Sequence, residues 1–180
     1  MLIPIKTASR NPASSYQVNP VHNWQINPVR NWQINPVRNW QINPVRNWQI
    51  NPVRNWQINP VRNWQINPVR NWQINPARNW QINPVRNIMI DPFRALSIPG
   101  DYICSTHDFS CQYFTVKPSS QEILLIFDAD KNYCFLATGN SGCYSVFSAN
   151  DYSYIGYLCP NSAGKFNWFD LNANWQFFFT

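Results

Sequence analysis

Few groupings in this 180-residue chain combine residue types and spacings that could carry chemistry. The segment CSTHDFSC sets Cys104, His107 and Cys111 in a C-x2-H-x3-C arrangement. Three soft ligands begin a zinc site, but zinc takes four, usually from paired C-x2-C or H-x3-H knuckles. The fourth would have to come from Cys134, Cys143 or Cys159 through the fold. The same cysteines and histidine could act as nucleophile and base. Yet His22 and His107 are the only histidines, and no cysteine lies in a catalytic signature. Buried thiols and a surface histidine are the expectation. The segment DADKN, Asp128–Asn132, has the D-x-D-x-N start of a calcium loop. An EF-hand loop also needs Gly at its sixth position and Glu at its twelfth, and here Tyr133 and Gly139 stand there. It reads as a polar hairpin loop between ILLIF and YCFLA. There is no Gly-rich phosphate loop, G-x-S-x-G elbow or H-E-x-x-H helix, and glycine totals five. The sequence therefore predicts no catalytic residues and no cofactor.

The strongest functional pattern is periodic. The octad NPVRNWQI occurs six times without change from Asn27 to Ile74, inside a run of eleven units spanning 11–98. It sets out Arg30, Arg38, Arg46, Arg54, Arg62, Arg70, Arg78 and Arg86, each two residues before a large apolar side chain. Arginine for phosphates and tryptophan for bases are the ingredients of single-strand nucleic-acid binding. These eight arginines are the candidates for a polyanion partner.

The elements that must position them follow from the frayed end units, which show what the pattern tolerates. Proline holds position 2 in all eleven units, and position 8 is always Ile or Val. Position 6 is Tyr16, eight tryptophans, Ile88 and Leu96, whereas position 4 varies through Ser14 and His22. Packing retains this kind of pattern, so Pro28, Trp32, Ile34 and their counterparts Pro52, Trp56 and Ile58 are expected as packing anchors. Proline every eight residues excludes a continuous helix. In one reading VRNWQI is a strand and Asn–Pro a corner. The strand period of two then puts Trp56 and Ile58 on one face, and paired octads stack as a β-solenoid with Asn, Ile and Trp ladders. In another, Asn–Pro starts a single helical turn and the chain is a spiral of such turns. A third is a disordered or extended tract. The expected class is mostly β, with the octads β-solenoid-like or else disordered and extended.

From Pro99 onward, short β-branched and aromatic runs alternate with turn residues at roughly 8–12-residue spacing, which predicts a small antiparallel sandwich or barrel. The divisions are a lead at 1–10, the octads at 11–98 and an all-β domain at 99–180. Their charges, read from the sequence, are +2, +8 and −4. An acidic domain beside a basic repeat suggests a cap on the open edges of a solenoid. The segment DLNANWQF at 170–177 echoes the octad. All five cysteines lie in the C-terminal part, and their odd number favours free thiols. The start lacks the layout of a secretory signal, and no apolar run approaches the ~18 residues of a transmembrane helix. An intracellular setting is the expectation. Three functional classes fit: a non-enzymatic structural or scaffolding repeat protein that self-associates into oligomers or filaments, a polyanion-binding module, and a precursor or antigen-like chain whose octapeptide is the product.

Overall fold

A computed structural model of the protein describes residues 16–94, 100–118, 122–140 and 142–180. The lead at 1–10, the start of the first octad and the end of the last lie outside these residues. The β-branched and aromatic runs form eight strands: β1 (Tyr102–Ser105), β2 (Cys111–Val116), β3 (Ile123–Asp128), β4 (Tyr133–Asn140), β5 (Cys143–Ser148), β6 (Tyr154–Pro160), β7 (Phe166–Asp170) and β8 (Trp175–Phe179). Each pairs antiparallel with its chain neighbours, and β8 pairs with β1. The all-β domain is thus a closed barrel rather than a sandwich, and closure leaves it no free strand edge.

Ring contacts show which strand face is the lumen. Phe135 on β4 and Trp168 on β7 lie 5.2 Å apart, and Tyr113 on β2 reaches Trp168 at 6.2 Å. Strands three places apart meet so closely only across a lumen. That interior also holds Ile103, Leu124, Ile126, Val146 and Leu158. The opposite face is apolar too, with Tyr102, Phe114, Leu125, Phe127, Leu136, Phe147 and Phe178 buried outside the wall. A barrel buried on both faces needs a cover, and octads supply part of it. Ile74, Ile82 and Ile90 join the outer cluster, and Ile50 packs on Tyr157, Cys159 and Phe169.

The first four strands recur as the last four. The pairs Ile103↔Tyr113, Phe114↔Phe127, Ile126↔Phe135 and Ala137↔Val146 reappear as Val146↔Gly156, Tyr157↔Phe169, Trp168↔Phe177 and Ile103↔Phe179. The irregularities after Ile103, Ile126, Val146 and Trp168 also correspond. Two loop sequences carry the repeat. Ser105–Ser110 matches Ser148–Ser153, and Asp128–Asn132 matches Asp170–Asn174. Each loop has one residue in the left-handed region, Phe109 and Tyr152 in the first pair, Lys131 and Ala173 in the second. Volume is traded between the halves. A Cβ on Gly156 would meet the Phe169 carbonyl at 2.4 Å and Trp168 Nε1 at 2.9 Å. In the other half Tyr113 stands at the place of Gly156, and the smaller Ile126 at that of Trp168.

The octads correct the β-solenoid expectation, for no strand occurs in the described part of 16–94. Each octad from 19 to 90 makes two successive turns. In the first, the N–H of the fifth residue, an asparagine, bonds the carbonyl of the first at 2.8–2.9 Å. The second is a tight three-residue turn, as at Trp40–Ile42, Trp48–Ile50 and Trp64–Ile66. Asparagine opens both. The Asn35 Oδ1 accepts from Val37 N–H, and the Asn39 Oδ1 accepts from Gln41 N–H. Their amide groups reach back one octad, Asn35 Nδ2 to the Pro28 carbonyl and Asn39 Nδ2 to the Gln33 carbonyl. Side-chain capping of this kind gives a proline-broken chain the hydrogen bonds that a ladder would otherwise provide.

The octads lie along the barrel wall instead of meeting it end on, which replaces the cap picture with a lateral one. Asn167 on β7 donates to the Ile34 carbonyl, Cys159 on β6 to that of Ile50, and Thr138 on β4 to that of Ile66. Ser162, in the β6–β7 turn, meets Gln33 and Asn39 at one barrel end, and Lys131 lies over Phe93 at the other. The DLNANWQF echo is not an octad: it is the β7–β8 loop with the start of β8.

Thr138→Val keeps the side-chain shape and orphans the Ile66 carbonyl. Leaving a buried acceptor unpaired costs about 1–3 kcal/mol, so the urea midpoint should fall with an unchanged slope. An unaltered midpoint would mean that this hydrogen bond does not hold the octads to the wall.

Candidate ligand-binding surface

The alternating turns sort each octad into an inward and an outward set. Pro28, Ile34, Pro52 and Ile58 are buried. Trp32 and Trp56 are not anchors, being 54% and 64% exposed, and all eight octad indoles fall between 52% and 64%. The expected shared face of tryptophan and isoleucine assumed a strand period of two. In a tight turn, residues two apart diverge, so isoleucine faces in and tryptophan out. The valines at position 3 and the arginines at position 4 also face solvent.

Two successive turns thereby frame a groove of about 540 Å³ between Trp24 and Trp32. Arg30, Gln25 and Gln33 line it, with Ala163 of the β6–β7 turn at its margin. Asn31 in its floor is fully engaged, donating to the Gln25 carbonyl and accepting from Gln33 N–H. No octad indole is in ring contact with another aromatic among the described residues. The indoles are more than half exposed, and the Arg30 guanidinium makes no side-chain bond among the described residues. Stacking on such faces is worth ~1–3 kcal/mol per base in single-strand complexes.

The arginines are not equivalent. Arg38, Arg54 and Arg70 each turn a guanidinium onto a valine carbonyl of the preceding octad, at 3.3, 2.9 and 3.5 Å. Arg30, Arg46, Arg62, Arg78 and Arg86 make no such bond among the described residues. Octads 11–98 hold nine arginines and one acid, Asp91, which pairs with Arg94. The face is therefore cationic throughout.

Elsewhere, Cys104 and Cys111 face each other across β1 and β2 and are joined as a disulfide. This corrects the expectation of free thiols throughout. His107 is exposed, with its N–H on Ser105 Oγ. Among the described residues, no group of three His, Cys, Asp or Glu side chains is arranged to hold a metal ion. Burial, with Glu122 adding to it, pushes the Cys143 thiol up to about 11. Burial and then Cys143 push Cys159 well above its ordinary value. Burial thus disfavours the thiolate form of both. Asp128 caps its own loop, accepting from Asp130 N–H, Asn132 N–H and Asn132 Nδ2. Asp170 does the same for Asn172 and Asn174. No helix among the described residues is long and apolar enough to cross a membrane.

Comparison with protein-family models, with curated protein sequences and with solved structures finds no match to this chain.

Acrylamide should quench most of the tryptophan emission, since only Trp168 is buried and Trp175 half-buried. A blue-shifted, protected spectrum would contradict the outward indoles. The loop carboxylates set a dependence on acid. Burial alone would raise the carboxyls of Asp128 and Asp170, but loop hydrogen bonds led by Asn132 and Asn174 outweigh it and hold both below the ordinary value. A carboxyl lowered by folding stabilises the fold above its unfolded value and loses that contribution as pH falls through the folded one. The barrel should therefore weaken as pH drops below about 4, and Asp128→Asn with Asp170→Asn should flatten that dependence. Urea midpoints across that range measure it, and an equally steep loss in the double variant would contradict the assignment.

Proposed function

We propose that this chain is a non-enzymatic binding module in which the barrel supports a cationic, indole-studded strip that takes up an extended polyanion, namely single-stranded nucleic acid. One observation carries the reading: the tryptophans of all eight octads from 19 to 82 are spent on the surface, although proline and isoleucine bury the turn without them. Exposed apolar area arrayed in a row marks an interaction surface, and arginine between indoles matches a backbone of phosphates carrying stackable bases. A second reading, self-association as a scaffold, is favoured by the exposed valine row, from Val53 at 43% to Val85 at 80%. It would act through lateral contact of these strips, because the closed barrel and strand-free octads offer no strand edge to pair.

Titration with oligo-dT should quench the indole emission, and the affinity should fall linearly in log–log form as salt rises from about 50 to 200 mM. No quenching at the lowest salt would overturn the nucleic-acid reading. Concentration-dependent sedimentation without any such binding would favour the scaffold.

A further inference from the structure

Six octads of identical sequence occupy two alternating environments on the barrel. Octads 27–34, 43–50 and 59–66 are docked: the carbonyls of Ile34, Ile50 and Ile66 accept from Asn167, Cys159 and Thr138. The valine carbonyls of these same octads receive the guanidinium groups of the next ones, from Arg38, Arg54 and Arg70. Octads 35–42, 51–58 and 67–74, here called bridging, touch the barrel in other ways, Asn39 donating to Ser162 and Ile74 packing in the outer cluster, but their isoleucine carbonyls take no barrel donor among the described residues. Their fifth residues, Asn39, Asn55 and Asn71, are buried, whereas Asn31, Asn47 and Asn63 of the docked octads are only half-buried. Three separate features therefore alternate together with a spacing of two octads. The alternation stops at Arg86, where the octad nine residues back carries Ala77 in place of valine and Tyr152 sits at the Ala77 backbone.

We infer that the ligand-binding unit is a pair of octads, and that single-stranded nucleic acid is held by the unpinned arginines Arg30, Arg46 and Arg62, each between the indoles that flank it. This rests on the binding function proposed above and makes it specific. In each unit the docked octad supplies an arginine free to meet a phosphate. The bridging octad spends its arginine on the strip itself, where the guanidinium ties one turn to the previous one. The groove around Arg30, framed by Trp24 and Trp32, is the form of the site. Along the sequence Arg46 lies between Trp40 and Trp48, and Arg62 between Trp56 and Trp64, as Arg30 does between Trp24 and Trp32. Sequence cannot distinguish the two arginine sets, since their octads are identical, so any difference between them comes from docking.

The test uses the full chain with two variants of equal charge change: Arg30→Gln with Arg46→Gln and Arg62→Gln, and Arg38→Gln with Arg54→Gln and Arg70→Gln. Oligo-dT affinity and its salt slope are measured for each by indole quenching, alongside thermal melting. The first variant should bind at least tenfold more weakly at low salt, with a salt slope reduced by about 2, at ~0.7 for each phosphate no longer neutralised. The second should keep affinity within about threefold and instead melt at a lower temperature. Equal weakening in both variants, or greater weakening in the second, overturns the paired unit while leaving binding in place. No oligo-dT binding by the unaltered chain overturns the function and the unit together. Binding of a sulfated glycan, with oligo-dT excluded, overturns the choice of nucleic acid.

Discussion

The carboxamide of asparagine is the constraint on which the octad strip depends. A chain with proline every eighth residue cannot run a helix, and its backbone donors and acceptors still need partners wherever turns pack. Asparagine meets that need twice per octad. Its Oδ1 accepts from the N–H two residues on, at 2.9 Å from position 1, and its Nδ2 reaches the proline or glutamine carbonyl of the octad before. The first bond shapes a turn and the second joins it to its predecessor. Local capping and longitudinal cohesion come from one side chain, so tryptophan is not required to hold the strip together.

That division of labour explains what the end units tolerate. Proline and the aliphatic eighth residue face in and persist. The sixth residue faces out, and Tyr16 or Ile88 can stand there with exposure like that of tryptophan. A large apolar residue persisting at position 6 suggests packing when only the sequence is in view, yet it is equally what a repeated surface would show. The period decides between the two. Strands alternate every residue and turns of four do not, and a six-residue segment between prolines fits both. Asparagine at positions 1 and 5 is the discriminating signal, since two strong turn-capping residues four apart match two turns and spoil a strand.

The barrel is more legible. Eight aromatic and β-branched segments, cut by DADKN, SAND and GNSG, specify short antiparallel strands, and the hairpin loops fall where those turn residues lie. Closure is not legible, because whether a meander curls into a barrel or folds into two sheets depends on bulges and interior volumes. The internal duplication is available in F-D-x-[DN]-x-N-[YW]-x-F, at Phe127–Phe135 and Phe169–Phe177, but the octads dominate any search for repeats. Within the site, the arginines are legible as a set and their division is not. Identical octads differ only through what they touch.

What they touch is asymmetric because the duplicated halves have diverged at a few outward positions. Cys159 on β6 and Asn167 on β7 donate to octad carbonyls, while their counterparts in the first half are Val116 on β2 and Leu125 on β3, which have no proton to give. Thr138 is the donor on β4, and its counterpart Thr180 has a buried hydroxyl without a partner among the described residues. The strip's carbonyls therefore find side-chain donors on β7, β6 and β4, whereas Ile74, Ile82 and Ile90 pack in the apolar cluster that holds Val116 and Leu125. The three donors meet every second octad, so the wall distinguishes octads that are identical in sequence. Barrel and strip together thus define a longer unit than the octad, in which Arg38, Arg54 and Arg70 bond the preceding turn and Arg30, Arg46 and Arg62 do not.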